Sequence, residues 1–186
     1  MSFIQNIDWD ILYWIQNTIK CGFLDFIMPL ITKLGSAGAV WLICGVTMLF
    51  FPKYRKCGIM LCGGLALSLL VGNLVLKPLI ARPRPCWLED SVKMLVSTPS
   101  DYSFPSGHTL ASFISATIIF YNSKKLGIGA IILAVLISFS RLYLFVHFPS
   151  DVLGGIAIGV ILGIVSILIV NAIYKSEIFT YTKKGE

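Results

Sequence analysis

Residues 152–174 read "VLGGIAIGVILGIVSILIVNAIY", an unbroken stretch without a single charged side chain. About 20 such residues suffice to carry a helix across the hydrocarbon core of a bilayer. Residues 58–76 and 126–140 are equally free of charge, and the second run stays apolar past Arg141 as far as Val146. Residues 36–51 and 107–121 are shorter but apolar, and local thinning or burial of their ends lets them cross as well. The sequence therefore predicts an all-α, polytopic membrane helix bundle of about five spans. Its composition agrees: the 186 residues are 56% hydrophobic and only 13% charged, where soluble chains carry about 25%.

The short polar joints give the bundle its sidedness. "PKYRK" (52–56), "NSKK" (122–125) and "KSEIFTYTKKGE" (175–186) all fall on one side of a five-span chain. The excess of lysine and arginine makes that side cytoplasmic. The opposite, extracytoplasmic side receives the 77–106 loop and the turn near His147. That loop carries Lys77, Arg82, Arg84 and Lys93 against the rule. Basic residues kept on the wrong side suggest an anion to bind.

The chain divides into three parts on this reading. Residues 1–35 form N-terminal amphipathic, interfacial helices, residues 36–174 the membrane domain, and residues 175–186 a cytoplasmic tail. In the first part Ile4, Ile7, Ile11, Ile15 and Ile19 recur at helical spacing beside Trp9, Tyr13 and Trp14. "FLDFIMPLITKL" holds Asp25, Pro29 and Lys33 and reads as a poor span, so a sixth crossing built from this region is the alternative. The start lacks the basic region and cleavage site of a signal peptide. Gly155, Gly159 and Gly163 repeat every four residues, the spacing of a closely packed helix face.

Other classes are disfavoured. The net charge of +6 comes from small clusters between apolar runs, without the aromatic-laced basic stripe of a nucleic-acid binder. Cys21, Cys44, Cys57, Cys62 and Cys86 contain no CxxC pair, so neither a disulfide framework nor a zinc site is implied.

The span count also gathers chemistry. The chain has two histidines, His108 and His147, and both fall on the extracytoplasmic side. Lys77, Arg84, Arg141 and Asp151 join them from the ends of separate spans. Singly, Lys77 and Arg84 read as headgroup anchors and Asp151 as a helix cap. Arg141, set among apolar neighbours, is functional by default. Together, one lysine and two arginines form a cage for a phosphate dianion. "FPSGHT" (104–109) opens a helix whose Ser106 and Gly107 donate to the same anion. His147 then serves as nucleophile and His108 as general acid. Asp151, four residues after His147 and beyond Pro149, aims the imidazole as the aspartate of a catalytic triad does. A metal site is the rival chemistry, but three basic residues would repel a cation. Glu89, Asp90 and Asp101 are loop acids without ligand-like spacing. Neither metal nor cofactor is expected.

These residues resemble the motifs of the type 2 phosphatidic acid phosphatase superfamily of membrane lipid phosphatases. "KPLIARPRP" matches its K-x6-R-P motif through Lys77, Arg84 and Pro85, and Pro105–His108 its P-S-G-H motif. Ser140, Arg141, His147 and Asp151 match S-R-x5-H-x3-D. The resemblance covers about residues 35–172. It implies a metal-independent helical phosphatase working through a phosphohistidine on His147, with phosphate contacts from Lys77, Arg84, Ser106, Gly107 and Arg141. Soluble vanadium haloperoxidases share the motif set, but the membrane spans argue against that reading. The small size is similar to bacterial undecaprenyl-diphosphate phosphatases, some of which confer bacitracin tolerance. The expected substrate is therefore undecaprenyl diphosphate, with phosphatidylglycerophosphate or phosphatidate as the alternative. A lipid-phosphate transporter would need the cage but not His147 and Asp151.

Overall fold

The computed structural model describes residues 3–183, with side chains through residue 176. Among them there is no strand. Nine α-helices follow in order: α1 (Phe3–Trp14), α2 (Gly22–Gly35), α3 (Ala39–Leu49), α4 (Arg55–Leu67), α5 (Lys77–Ile80), α6 (Pro85–Leu88), α7 (Gly107–Asn122), α8 (Lys124–Tyr143) and α9 (Pro149–Lys183). Two π-helical segments, Ile15–Ile19 and Ser68–Leu76, extend α1 and link α4 to α5.

Four mostly helical stretches are long and apolar enough to cross a membrane: Gly22–Leu49, Arg55–Leu88, Lys124–Tyr143 and Pro149–Ser176. The fifth expected span, α7, has 16 residues and is largely buried. At 1.5 Å per residue it is about 24 Å long. It nevertheless runs the depth of the bundle. It starts at Gly107, near Arg141 at the end of α8, and turns into α8 at Ser123. Burial explains its brevity, because a helix enclosed by its neighbours need not match the bilayer.

The first span begins earlier than the sequence suggested. Helix α2 joins α3 through a break at Ser36–Gly38, where Ala37 and Gly38 adopt positive φ of 51° and 68°. A tertiary contact accommodates one of the charges that disguised α2. Asp25 accepts a hydrogen bond from the Tyr143 hydroxyl at 2.6 Å, and Pro29 sits within the helix. Helix α1 is not among the candidate spans. Its Leu12, and Ile15 of the π-helical segment after it, pack on Tyr143, Phe145 and Phe148 at the end of the bundle that holds His147. Its Phe3, Ile4, Ile7, Ile11 and Trp14 face outward. At the other terminus α9 runs on through Lys183, past the expected start of the tail at residue 175, and residues 184–186 lie outside the described residues.

The core is a column of apolar side chains between α4, α7, α8 and α9, including Met60, Leu61, Leu110, Ile114, Ile118 and Ile137. The glycine repeat of α9 lies against α7. A Cβ on Gly159 would stand 2.9 Å from the Leu110 carbonyl oxygen, and one on Gly163 would stand 2.9 Å from Thr117 Cβ. The close approach brings Asp151, at the head of α9, next to the start of α7, where Ser106 N–H donates to the Asp151 carbonyl at 3.2 Å.

Candidate active site

Four span ends and two loops deliver the polar residues to one end of the bundle. Lys77 emerges where the π-helical segment tightens into α5, and such irregular turns recur at functional sites. Ala81 then takes a positive φ of 47°, which turns the chain off the helix and leads through Arg82 to Arg84. His108 stands in the first turn of α7 and Arg141 in the last turn of α8. His147 hangs in the turn between α8 and α9, where Phe145 has a positive φ of 59°. Non-glycine residues held there carry strain that only a well-packed setting sustains.

Arg84 is the hub. Its Nη1 donates to the Val146 carbonyl at 2.8 Å and lies 3.0 Å from His147 Nε2. Its Nε and Nη2 reach the carbonyl oxygen and carboxylate of Asp101 at 2.6 and 2.7 Å. Lys77 pairs with the other oxygen of the same carboxylate. Arg141, buried against Thr32 Oγ1, leaves its Nε without a partner among the described residues. His108 bonds the Thr32 backbone, and its Nε2 also lacks a partner among them. These unspent groups matter, because a buried polar atom without a partner is costly unless a ligand supplies one.

A cavity of about 640 Å³ joins Lys77, Arg84, Gly107, His108, Arg141 and His147. It continues into an apolar half lined by Leu42, Leu65, Ala66 and Leu69. Six of the eight residues expected from the sequence therefore line one space. The other two stand behind it. Ser106 is buried, accepting from Thr109 Oγ1 at 3.0 Å, and Asp151 is fully enclosed.

The arrangement defines the state of His147. Arg84 donates to Nε2, so that nitrogen carries the lone pair and Nδ1 the proton. Burial first, and then Arg84, Arg141, Lys77 and His108, hold its pKa well below that of an ordinary histidine. The ring stays neutral, as a nucleophile requires. Asp101 behaves oppositely: burial pulls its pKa upward, but bonds and charge from Lys77 and Arg84 outweigh this and bring it down to about 2.

Asp101 is the residue the sequence understated. It read as a loop acid, yet it occupies the very donors assigned to phosphate. Three more residues of the site gave no motif signal: Arg82, Asp8 and Ser103. Arg82 Nη1 donates to Asp151 Oδ1 at 2.6 Å, and Nη2 to Asp8 Oδ2 at 2.6 Å. Ser103 Oγ donates to Asp151 Oδ2 at 2.5 Å. Among the described residues no group of three or more His, Cys, Asp and Glu converges as a metal site would require.

The chain is similar to known proteins in sequence and in fold. A family model described as the PAP2 superfamily matches residues 58–175. An undecaprenyl-diphosphatase from Sulfolobus acidocaldarius is 34% identical over 83% of this chain and 75% of that protein. Undecaprenyl-diphosphatase BcrC from Bacillus subtilis is 28% identical over 75% of this chain and 72% of that one. The crystal structure of a transmembrane PAP2-type phosphatidylglycerolphosphate phosphatase from Bacillus subtilis superposes with a TM-score of 0.73. It is 29% identical, covering 95% of this chain and 88% of that one.

Proposed function

The chain belongs to the PAP2 superfamily and is a membrane lipid phosphatase, and from that premise we propose that it converts undecaprenyl diphosphate to undecaprenyl phosphate through a phosphohistidine on His147. The observation that carries this reading is the cavity itself. One half presents a lysine, two arginines and two histidines, and the other half is apolar. A lipid whose headgroup ends in phosphate fits both halves.

Lys77, Arg84 and Arg141 neutralise the terminal phosphoryl group, while the free N–H groups around Gly107, with Ser106 packed behind them, donate to its oxygens. To reach them the phosphate displaces the Asp101 carboxylate, which shares Lys77 and Arg84. His147 Nε2 attacks phosphorus and the bridging P–O bond breaks. The bound anion favours a proton taken up from solvent on His108 Nε2, and His108 gives that proton to the leaving oxygen. Water, deprotonated by His108, then cleaves the N–P bond and frees inorganic phosphate. Asp151 stabilises the positive imidazole ring throughout. No step calls for a metal ion or cofactor.

The far end of the bundle carries Lys53, Arg55, Lys56, Lys124 and Lys125, and α9 brings Lys175 to the same end. By the positive-inside rule that end is cytoplasmic and the site opens on the extracytoplasmic face. The apolar outward face of α1 suits the membrane interface there.

The test is phosphate release in detergent with excess EDTA, comparing undecaprenyl diphosphate with phosphatidylglycerophosphate. Preferential turnover of the prenyl diphosphate supports this reading. The likeness to a solved phosphatidylglycerolphosphate phosphatase supports a second one, which prevails if the glycerophospholipid is preferred. Binding of either lipid without release would return the chain to the transporter class.

A further inference from the structure

Asp151 does not touch the ring it is meant to orient. Its Oδ2 lies 3.6 Å from His147 Nδ1, beyond hydrogen-bond range. Ser103 fills the gap: its Oγ is 3.3 Å from His147 Nδ1 and donates to Asp151 Oδ2 at 2.5 Å. The protons have one consistent order. Arg84 occupies His147 Nε2, so Nδ1–H points to Ser103 Oγ, and the Ser103 hydroxyl proton goes to the carboxylate. Ser103 and Asp151 are fully buried and His147 is nearly so, which leaves little solvent access to the bridge.

The far side of Asp151 is fixed with equal care. Oδ2 also accepts the Phe148 N–H at 2.8 Å, and Oδ1 accepts from Arg82 at 2.6 Å. Arg82 in turn lies over the Phe148 ring, 4.3 Å from its centroid, and bonds Asp8 and Gln5 of α1. Asp8 accepts from Ser150 N–H at 2.9 Å and from Ser150 Oγ at 2.5 Å. Finally the Ser103 N–H donates to the Arg82 carbonyl at 2.8 Å, so the bridge and the anchor are themselves joined.

We propose that Ser103 is a positioning residue that carries the negative charge of Asp151 to His147, from a place that Arg82 holds fixed. This inference rests on His147 being the nucleophile. When Nε2 bonds to phosphorus the ring becomes positive and keeps its Nδ1 proton. The bridge stabilises that charge without any net proton transfer, and it restores the ring when the N–P bond breaks.

The experiment uses the full chain in detergent, with undecaprenyl diphosphate and phosphatidylglycerophosphate as substrates. Ser103→Ala should lower kcat by about 10- to 100-fold, the scale on which outer partners of a working histidine act. KM and the inhibition constant of inorganic phosphate should stay within about twofold, because the phosphate cage is untouched. The trapped phosphoenzyme should form more slowly by the same factor as kcat. Ser103→Thr, which keeps the hydroxyl, should recover most of the rate. The inference is overturned if Ser103→Ala keeps its kcat, if phosphate affinity falls in step with kcat, or if threonine is as slow as alanine. The underlying reading fails separately, through full turnover by His147→Ala or by a native protein that releases phosphate from neither lipid.

Discussion

His147 stands between two ion clusters of the same chemistry, arginine with carboxylate. On the cavity side, Arg84 and Lys77 hold Asp101, whose side chain is 52% exposed. On the inner side, Arg82 holds Asp8 and Asp151, which are 3% and 0% exposed. Solvent access separates their roles. A half-exposed carboxylate loses little when it leaves a cation, since water takes it back and a phosphate replaces it. A sealed carboxylate cannot leave without stranding a buried charge, which is strongly destabilising. One cluster is built for exchange and the other for permanence.

The sharpest way to break this contrast is Asp151→Asn. It should lower kcat by about 10³- to 10⁴-fold, as loss of the triad aspartate does, with phosphate inhibition nearly unchanged. Arg82→Ala comes next. It strands two buried carboxylates and should cost about 3–5 kcal/mol of stability, read as a lower denaturation midpoint in detergent. Asp8→Asn keeps the shape but not the charge and should cost about 1–3 kcal/mol. Asp101→Asn should be the mildest, within about 1 kcal/mol of the native protein, yet it should tighten inhibition by inorganic phosphate severalfold. Equal destabilisation by the Asp8 and Asp101 variants would erase the distinction.

Acidity offers a finer test. The pKa of Asp101 is lowered to about 2, so its charge is complete near neutrality and fades only as pH falls through that value. Its competition with phosphate therefore persists at mild acidity. The ratio of phosphate affinities between Asp101→Asn and the native chain should be the same at pH 5 and pH 7 (phosphate's own ionisation changes both equally).

The cavity-side cluster was half legible in the sequence and the inner cluster scarcely at all. Lys77, Arg84, Arg141 and both histidines sit at span ends, where charge contrasts with apolar runs, and their spacing forms recognisable motifs. Asp8 bonds Ser150 across 142 positions and Arg82 across 74, distances over which no local pattern operates. Ser103 is a small residue in a loop, significant only through what folding places on either side. Asp101 misled because it reads as a loop acid without ligand-like spacing, and only folding sets its carboxylate between Lys77 and Arg84. The spans behaved similarly. The charge-free runs in α4, α8 and α9 were plain from composition. The start of α2 was hidden by Asp25 and Pro29, and Asp25 is accommodated only by a tertiary contact with Tyr143.

Helix α1 also bears on the order of assembly. Its Asp8 leaves the ribosome long before the chain it must grip, and at ~5–20 residues per second Ser150 follows about 7 to 28 seconds later. Through that interval the inward face of α1 has no counterpart, and Arg82, when it arrives, can meet only half of its final partners. The catalytic turn can close only when the last span is in place. An affinity tag fused ahead of Phe3 would load this final docking step, whereas one placed after the end of α9 would leave it free.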